Sequence, residues 1–134
     1  MNVTLAAGIL EDVIEHARQS WPNEGCGLLV GRETADRFIP MTNVAAAAAT
    51  QYEIDPADLI HTLRELRDSG EHLIAVYHSH PRGPAEPSKT DIDRAYYPEA
   101  AHLIVSLADR ERPRAEAFRI IGGEALPVEV RVIV

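Results

Sequence analysis

Cysteine is almost missing from this chain. Cys26 is the only one, which excludes an internal disulfide and any zinc site built from clustered thiolates. Cys26 itself lies in an apolar run and reads as a small buried hydrophobe. Lysine is as scarce: Lys89 stands alone against twelve arginines, and the formal net charge is −8. The basic clusters that would track a phosphate backbone are lacking, which argues against nucleic acid as a partner. No apolar run approaches the roughly 18 residues of a membrane span, and the N-terminus lacks a basic region followed by an apolar one. The expectation is a cytoplasmic protein with no membrane partner. Repeats and linkers are also lacking. A chain of 134 residues that is 46% hydrophobic and 25% charged is read as one domain, residues 1–134, with a single core.

What is present converges on Tyr77-His78-Ser79-His80, the end of an apolar run from Leu73 that reads as a buried strand. In extended backbone, side chains repeat every two residues, so His78 and His80 share a face and can converge on one ion. The following seven residues, Pro81 to Pro87, hold three prolines and a glycine and form a rigid loop. Helical character then runs from Thr90 to Tyr97 before Pro98, which places Asp91 in a first turn facing back toward the loop. Two histidines and an aspartate suit Zn²⁺ and leave a fourth position for water, the arrangement of a catalytic zinc. Each part has a plainer reading. Strand histidines are often only hydrogen-bonded, and Ser88-x-x-Asp91 fits a helix capping box. A serine that caps a helix can also turn its hydroxyl toward a substrate, so the readings are compatible.

His78-x-His80, seven residues, Ser88, two residues and Asp91 resemble the signature of the JAMM (MPN-plus) zinc metalloproteases. Upstream, Pro22-Asn23-Glu24-Gly25-Cys26-Gly27-Leu28-Leu29-Val30-Gly31 resembles that family's Glu-bearing segment. On spacing alone Glu24 is a surface acid before a strand; the resemblance makes it the general base. It further implies a curved, mixed central sheet flanked by helices, of the cytidine-deaminase-like MPN type. The implied roles are Zn²⁺ on His78, His80 and Asp91, proton transfer by Glu24, and oxyanion stabilisation by Ser88. The implied partner is a ubiquitin-like or sulfur-carrier protein with a C-terminal Gly-Gly tail. His78-Ser79-His80-Pro81 and Gly83-Pro84-Ala85-Glu86-Pro87-Ser88 are similar to small bacterial members that release cysteine from a sulfur carrier. An isopeptidase acting on lysine conjugates is the alternative, and a non-catalytic MPN scaffold is the alternative of another class. A nucleoside deaminase is excluded by the lack of its Pro-Cys-x-x-Cys ligands.

The remaining chain reads as α/β. Thr4 is expected to cap a first helix with Leu5, Ile9, Val13, Ile14 and Ala17 on one face. Residues 25–31 and 37–43 read as paired strands, and Ala45 to Ala49 as an irregular connection. Asp55-Pro56 opens a helix whose buried stripe is Leu59, Ile60, Leu63 and Leu66, closed by Gly70. Strands follow at 102–107, 115–121 and 128–134, for a sheet of about six to eight strands. The alternating valines 128, 130, 132 and 134 suggest an edge strand able to pair with a second copy, and so a homodimer. His16, His61, His72 and His102 fall outside the motif and read as surface or satisfied core residues.

Overall fold

The computed structural model describes residues 2–134. Its elements run β1 (Asn2–Leu5), α1 (Ile9–Ser20), β2 (Cys26–Gly31), β3 (Arg37–Met41), α2 (Pro56–Ser69), β4 (His72–His80), α3 (Lys89–Asp93), β5 (Ala101–Ser106), β6 (Arg114–Ile121) and β7 (Glu124–Val132). The strands form one seven-stranded mixed sheet in the order β1-β7-β6-β5-β4-β2-β3. β4 and β5 pair in parallel, as do β1 and β7, and every other pairing is antiparallel. β2, β4 and β5 are central, and their near-continuous apolar runs follow from burial on both faces.

The two faces are covered by different helices. Ile9, Val13 and Ala17 of α1 pack with Leu29, Ala75, Tyr77, Leu103 and Val105. Leu66 of α2 packs on the other face with Leu28, Val30 and Val76. The register of β2 on β4 shifts between Leu29, which pairs with Ala75, and Val30, which pairs with Leu73. This irregularity leaves Ile74 as an extra residue and resets the alternation. Beyond it, Tyr77 and Ser79 point to the α1 side, while Val76, His78 and His80 share the α2 side. Gly25 and Gly27 flank the start of β2 because side chains would not fit. A Cβ at Gly25 would lie 2.6 Å from the Tyr77 hydroxyl, and one at Gly27 would lie 2.6 Å from the Phe38 ring.

α2 begins as its sequence demands. The Asp55 carboxylate accepts from the backbone N–H groups of Ala57 and Asp58 at 2.9 and 3.2 Å, Pro56 follows at the first position, and Gly70 closes the helix in a left-handed conformation. Ala45 to Ala49 is an irregular connection containing turns. No helix among the described residues is long and apolar enough to cross a membrane.

Four expectations are corrected. Thr4 caps no helix: it lies in β1, where Val3 and Leu5 point inward with period two, and α1 starts after Gly8. The partner that makes this segment a strand is β7, more than a hundred residues away in sequence, so nothing local reveals it. Ile60 is half exposed, leaving Leu66 as the fully buried member of its stripe. The helix after Ser88 ends at Asp93 rather than Tyr97: Arg94, the residue whose carbonyl Pro98 has no N–H to bond, already lies outside helical backbone. β7 is interior, bounded by β6 and β1. Its valines therefore offer no free edge for a second copy, and Val132 is 40% exposed instead of facing a core.

Candidate metal centre and active site

β4 delivers both imidazoles to one point. His78 Nε2 and His80 Nε2 lie 3.1 Å apart, and Asp91 Oδ2 lies 3.1 Å from the first and 3.0 Å from the second. The residues are buried, with His78 fully inaccessible. In-line hydrogen bonds cannot serve all three edges of so small a triangle. A tetrahedral ion with bonds of ~2.0–2.1 Å instead places its donors about 3.3 Å apart. The donor set thus fits a divalent cation of zinc's character. His80 is oriented as a ligand must be. Its Nδ1 lies 2.8 Å from the Pro84 carbonyl, which as acceptor fixes the tautomer that leaves Nε2 a free lone pair. The rigid loop from Pro81 therefore aims the imidazole as well as connecting two elements.

Asp91 is carried by α3. Ser88 and Asp91 form the capping box: the Asp91 N–H donates to Ser88 Oγ at 3.1 Å, and the Ser88 N–H donates to Asp91 Oδ2 at 2.9 Å. The capping and site readings coexist here, because the oxygen that caps the helix is the one that meets the imidazoles. Burial opposes the Asp91 carboxylate's charge, yet hydrogen bonds from both histidines and the Ser88 N–H hold its pKa well below the usual range. Burial keeps His78 neutral, lowering its pKa. His80 is also penalised by burial, but Asp91 and the Pro84 carbonyl raise it on balance.

Glu24 enters from the neighbouring strand. β2 pairs antiparallel with β4, Cys26 opposite His78, and extending that register puts Glu24 opposite His80. The Ser79 N–H donates to the Gly25 carbonyl at 2.9 Å and the Gly25 N–H to Ser79 Oγ at 2.7 Å, a two-point clamp beside Glu24. Glu24 is 4% exposed, and its Oε1 is buried with no hydrogen-bond partner among the described residues. Ligand atoms of Glu24, His78 and His80 all lie within 4.8 Å of one another. Two carboxylates thus attend the same imidazoles, Asp91 the more closely. Burial, with a smaller push from Asp91 against the pull of His80, raises the Glu24 pKa to about 7. That suits a group that must take and return a proton near neutrality.

Several contributors carry no sequence signal. Tyr52 stacks on the His78 ring with centroids 4.5 Å apart and planes 19° apart. Asn43 ties the connection after β3 to the site: its side chain donates to the Glu24 carbonyl at 2.9 Å and to the Gln51 carbonyl at 3.0 Å, and accepts from Ala45 and Glu53 N–H groups. His102 is buried, not surface, and its Nδ1 has no partner among the described residues, so it is not a satisfied core residue either. Of the other off-motif histidines, His16 meets the Tyr77 hydroxyl at 3.2 Å, His61 is exposed beside Glu65, and His72 is exposed. Two hollows flank the centre. One, of about 450 Å³, is lined by Tyr52, Leu59, Asp91, Tyr97 and His102. The other, of about 390 Å³, holds Glu24, His80, Arg82, Glu86 and Ser88.

Residues 6–124 match the family model of prokaryotic homologs of the JAB domain. The chain belongs to this JAB (JAMM/MPN) family. Its JAB domain is 34% identical over 134 residues to the CysO-cysteine peptidase of Mycobacterium tuberculosis, covering 98% of this chain and 91% of that one. It is 44% identical over 88 residues to a probable TtuB-protein conjugate cleaving protease of Thermus thermophilus, covering 66% of this chain and 60% of the relative. The JAB fold also superposes on the solution structure of a Desulfitobacterium hafniense protein with a TM-score of 0.87 and 32% identity, covering 98% and 92% of the two chains. The curved mixed sheet expected from the JAMM resemblance is thus the fold observed.

Proposed function

We propose that residues 1–134 form one zinc-dependent peptidase domain, acting in the cytoplasm. It hydrolyses the bond after the C-terminal Gly-Gly tail of a ubiquitin-like sulfur-carrier protein and releases cysteine. The observation that carries this reading is the convergence of His78, His80 and Asp91 within 3.1 Å, with a second, buried carboxylate on Glu24 beside them. Similarity over nearly the whole chain to a CysO-cysteine peptidase supports the substrate class.

His78, His80 and Asp91, the nearer carboxylate, would hold the ion, and Glu24 is left free for proton transfer. A zinc ion held there would supply Lewis acidity, easing removal of a proton from an adjacent water near neutral pH. Glu24 takes the proton of the attacking water and passes it to the leaving amine as the C–N bond breaks, work usually worth ~10²- to 10⁴-fold. Ser88 Oγ already accepts from the Asp91 N–H, so its own hydrogen remains to donate to the oxygen that gains charge on the attacked carbonyl.

The experiment is mass spectrometry of a sulfur carrier ending in Gly-Gly-Cys, incubated with zinc-loaded enzyme and with Glu24→Ala as control. Loss of one cysteine with the active enzyme alone is the expected result. An intact carrier despite bound zinc would overturn the reading. A second reading, removal of a ubiquitin-like modifier from lysine, is favoured by the likeness to the TtuB-conjugate protease. It predicts cleavage of a lysine-linked conjugate while the cysteine adduct survives.

A further inference from the structure

The hollow that contains Glu24 is also lined by an arginine, Arg82, on a chain of net charge −8. Arg82, in the rigid loop just after His80, places its guanidinium 5.8 Å from the centre of the Trp21 ring, and Arg110 lies 4.4 Å from the same ring. Trp21 directly precedes Pro22, which lines the hollow together with Glu24, His80, Arg82 and Ser88. Both arginines are exposed, and neither has an ion-pair partner among the described residues, whereas Arg18, Arg37, Arg114 and Arg131 do. Cation–π attraction to Trp21 tethers both guanidiniums to the same ring. It leaves their N–H groups free for an anion, despite Glu86 on the same wall.

The direction of the reaction says which anion. Resting on the peptidase reading above, Glu24 returns its proton to the leaving amine, so the leaving group occupies the hollow that Glu24 lines. The other hollow, with Asp91 but not Glu24, is left for the acyl side. A single released amino acid differs from a lysine side chain or a continuing peptide in one respect: it carries a free α-carboxylate close to the scissile nitrogen. We propose that Arg82, assisted by Arg110 on the Trp21 face, binds that α-carboxylate. This makes the enzyme selective for adducts whose leaving group is one C-terminal amino acid. Arginine suits such an anion, since its planar fork meets a carboxylate in two parallel hydrogen bonds.

The test compares kcat/KM for two forms of the carrier, one ending in Gly-Gly-Cys with a free carboxylate and one ending in the cysteine carboxamide. Zinc-loaded wild type is expected to prefer the acid by about fivefold, the upper end of what an exposed ion pair contributes. Arg82→Ala should bring the ratio close to one by slowing the acid and leaving the amide alone. Arg82→Lys should keep most of the preference, and Arg110→Ala should lower it less than Arg82→Ala. Equal wild-type rates on acid and amide, or an Arg82→Ala ratio equal to wild type, overturn the assignment while the peptidase reading stands. Failure of wild type to cut either form overturns that reading, and the assignment with it.

Discussion

The two faces of β4 are one residue apart along the chain and opposite in character. On the α1 side, Tyr77 and Ser79 are buried with their polar atoms met: the Tyr77 hydroxyl by His16 at 3.2 Å, the Ser79 hydroxyl by the Gly25 N–H at 2.7 Å. On the other side, Glu24 Oε1, His78 Nδ1 and His102 Nδ1 are all buried without a partner among the described residues. Unmet buried polar atoms cost stability, and native chains hold few of them. One face is therefore built to hold the sheet together. The other accepts a cost in order to gather ionisable groups around a point, which is where function is expected.

The sharpest way to break that contrast is to remove a proposed ligand. His80→Ala and Asp91→Ala should each abolish stoichiometric tight zinc, measured by metal analysis after desalting, with turnover falling to background and the circular dichroism of the fold retained. Full zinc in either variant removes that residue from the ligand set. Glu24→Gln separates chemistry from binding on the same face. It should keep one zinc per chain while turnover drops ~10²- to 10⁴-fold. Loss of the metal by a folded Glu24→Gln protein would instead make Glu24 a ligand, as its distance to the imidazoles permits.

The site was more legible in the sequence than the fold around it, and the reason is physical. His78, His80, Ser88 and Asp91 fall within fourteen residues and are joined by a strand, a proline-rich loop and a capped helix start, so local rules place them near one another. Glu24 is different. Only the register of β2 against β4 brings it in, and on its own spacing it reads as a surface acid. Tyr52, Asn43 and His102 were illegible for the same cause: each acts through contacts between segments distant in sequence. The same limit hid β1, whose four residues satisfy a helix face as well as a strand until β7 pairs with them. It also made β7 read as an edge strand, because alternation reveals faces and not neighbours.

His102 gives a test of the cost carried by the unsatisfied face. Burial lowers its pKa to about 4, against 6.5 for a free imidazole. The folded chain thus binds this proton less readily than the unfolded chain. The stability that a neutral His102 contributes is full above pH 6.5 and is lost as the pH falls toward 4. For the metal-free protein, urea unfolding at pH 7.5 and pH 4.5 should give a stability change on acidification that differs between wild type and His102→Phe by ~2 kcal/mol, the contributions of Glu24 and His78 being common to both. An unchanged acid-side loss in the variant would assign it to other groups.

The smallest effect is expected on the opposite face, and there its smallness is the point. Tyr77→Phe keeps the ring that meets Phe38 and His16 edge-on and removes only the hydroxyl. Stability should fall by ~1 kcal/mol, the net worth of one partly buried hydrogen bond. Zinc content and kcat should stay at wild-type values, because the side chain points away from His78 and His80 although His78 is its neighbour in the chain. A kcat loss approaching that of Glu24→Gln would join the faces into one unit, with the line from His16 through Tyr77 and Ser79 to the Gly25 N–H acting on Glu24. A loss of stability alone keeps them separate, and β4 then works as a partition whose α1 side holds the geometry that its other side uses.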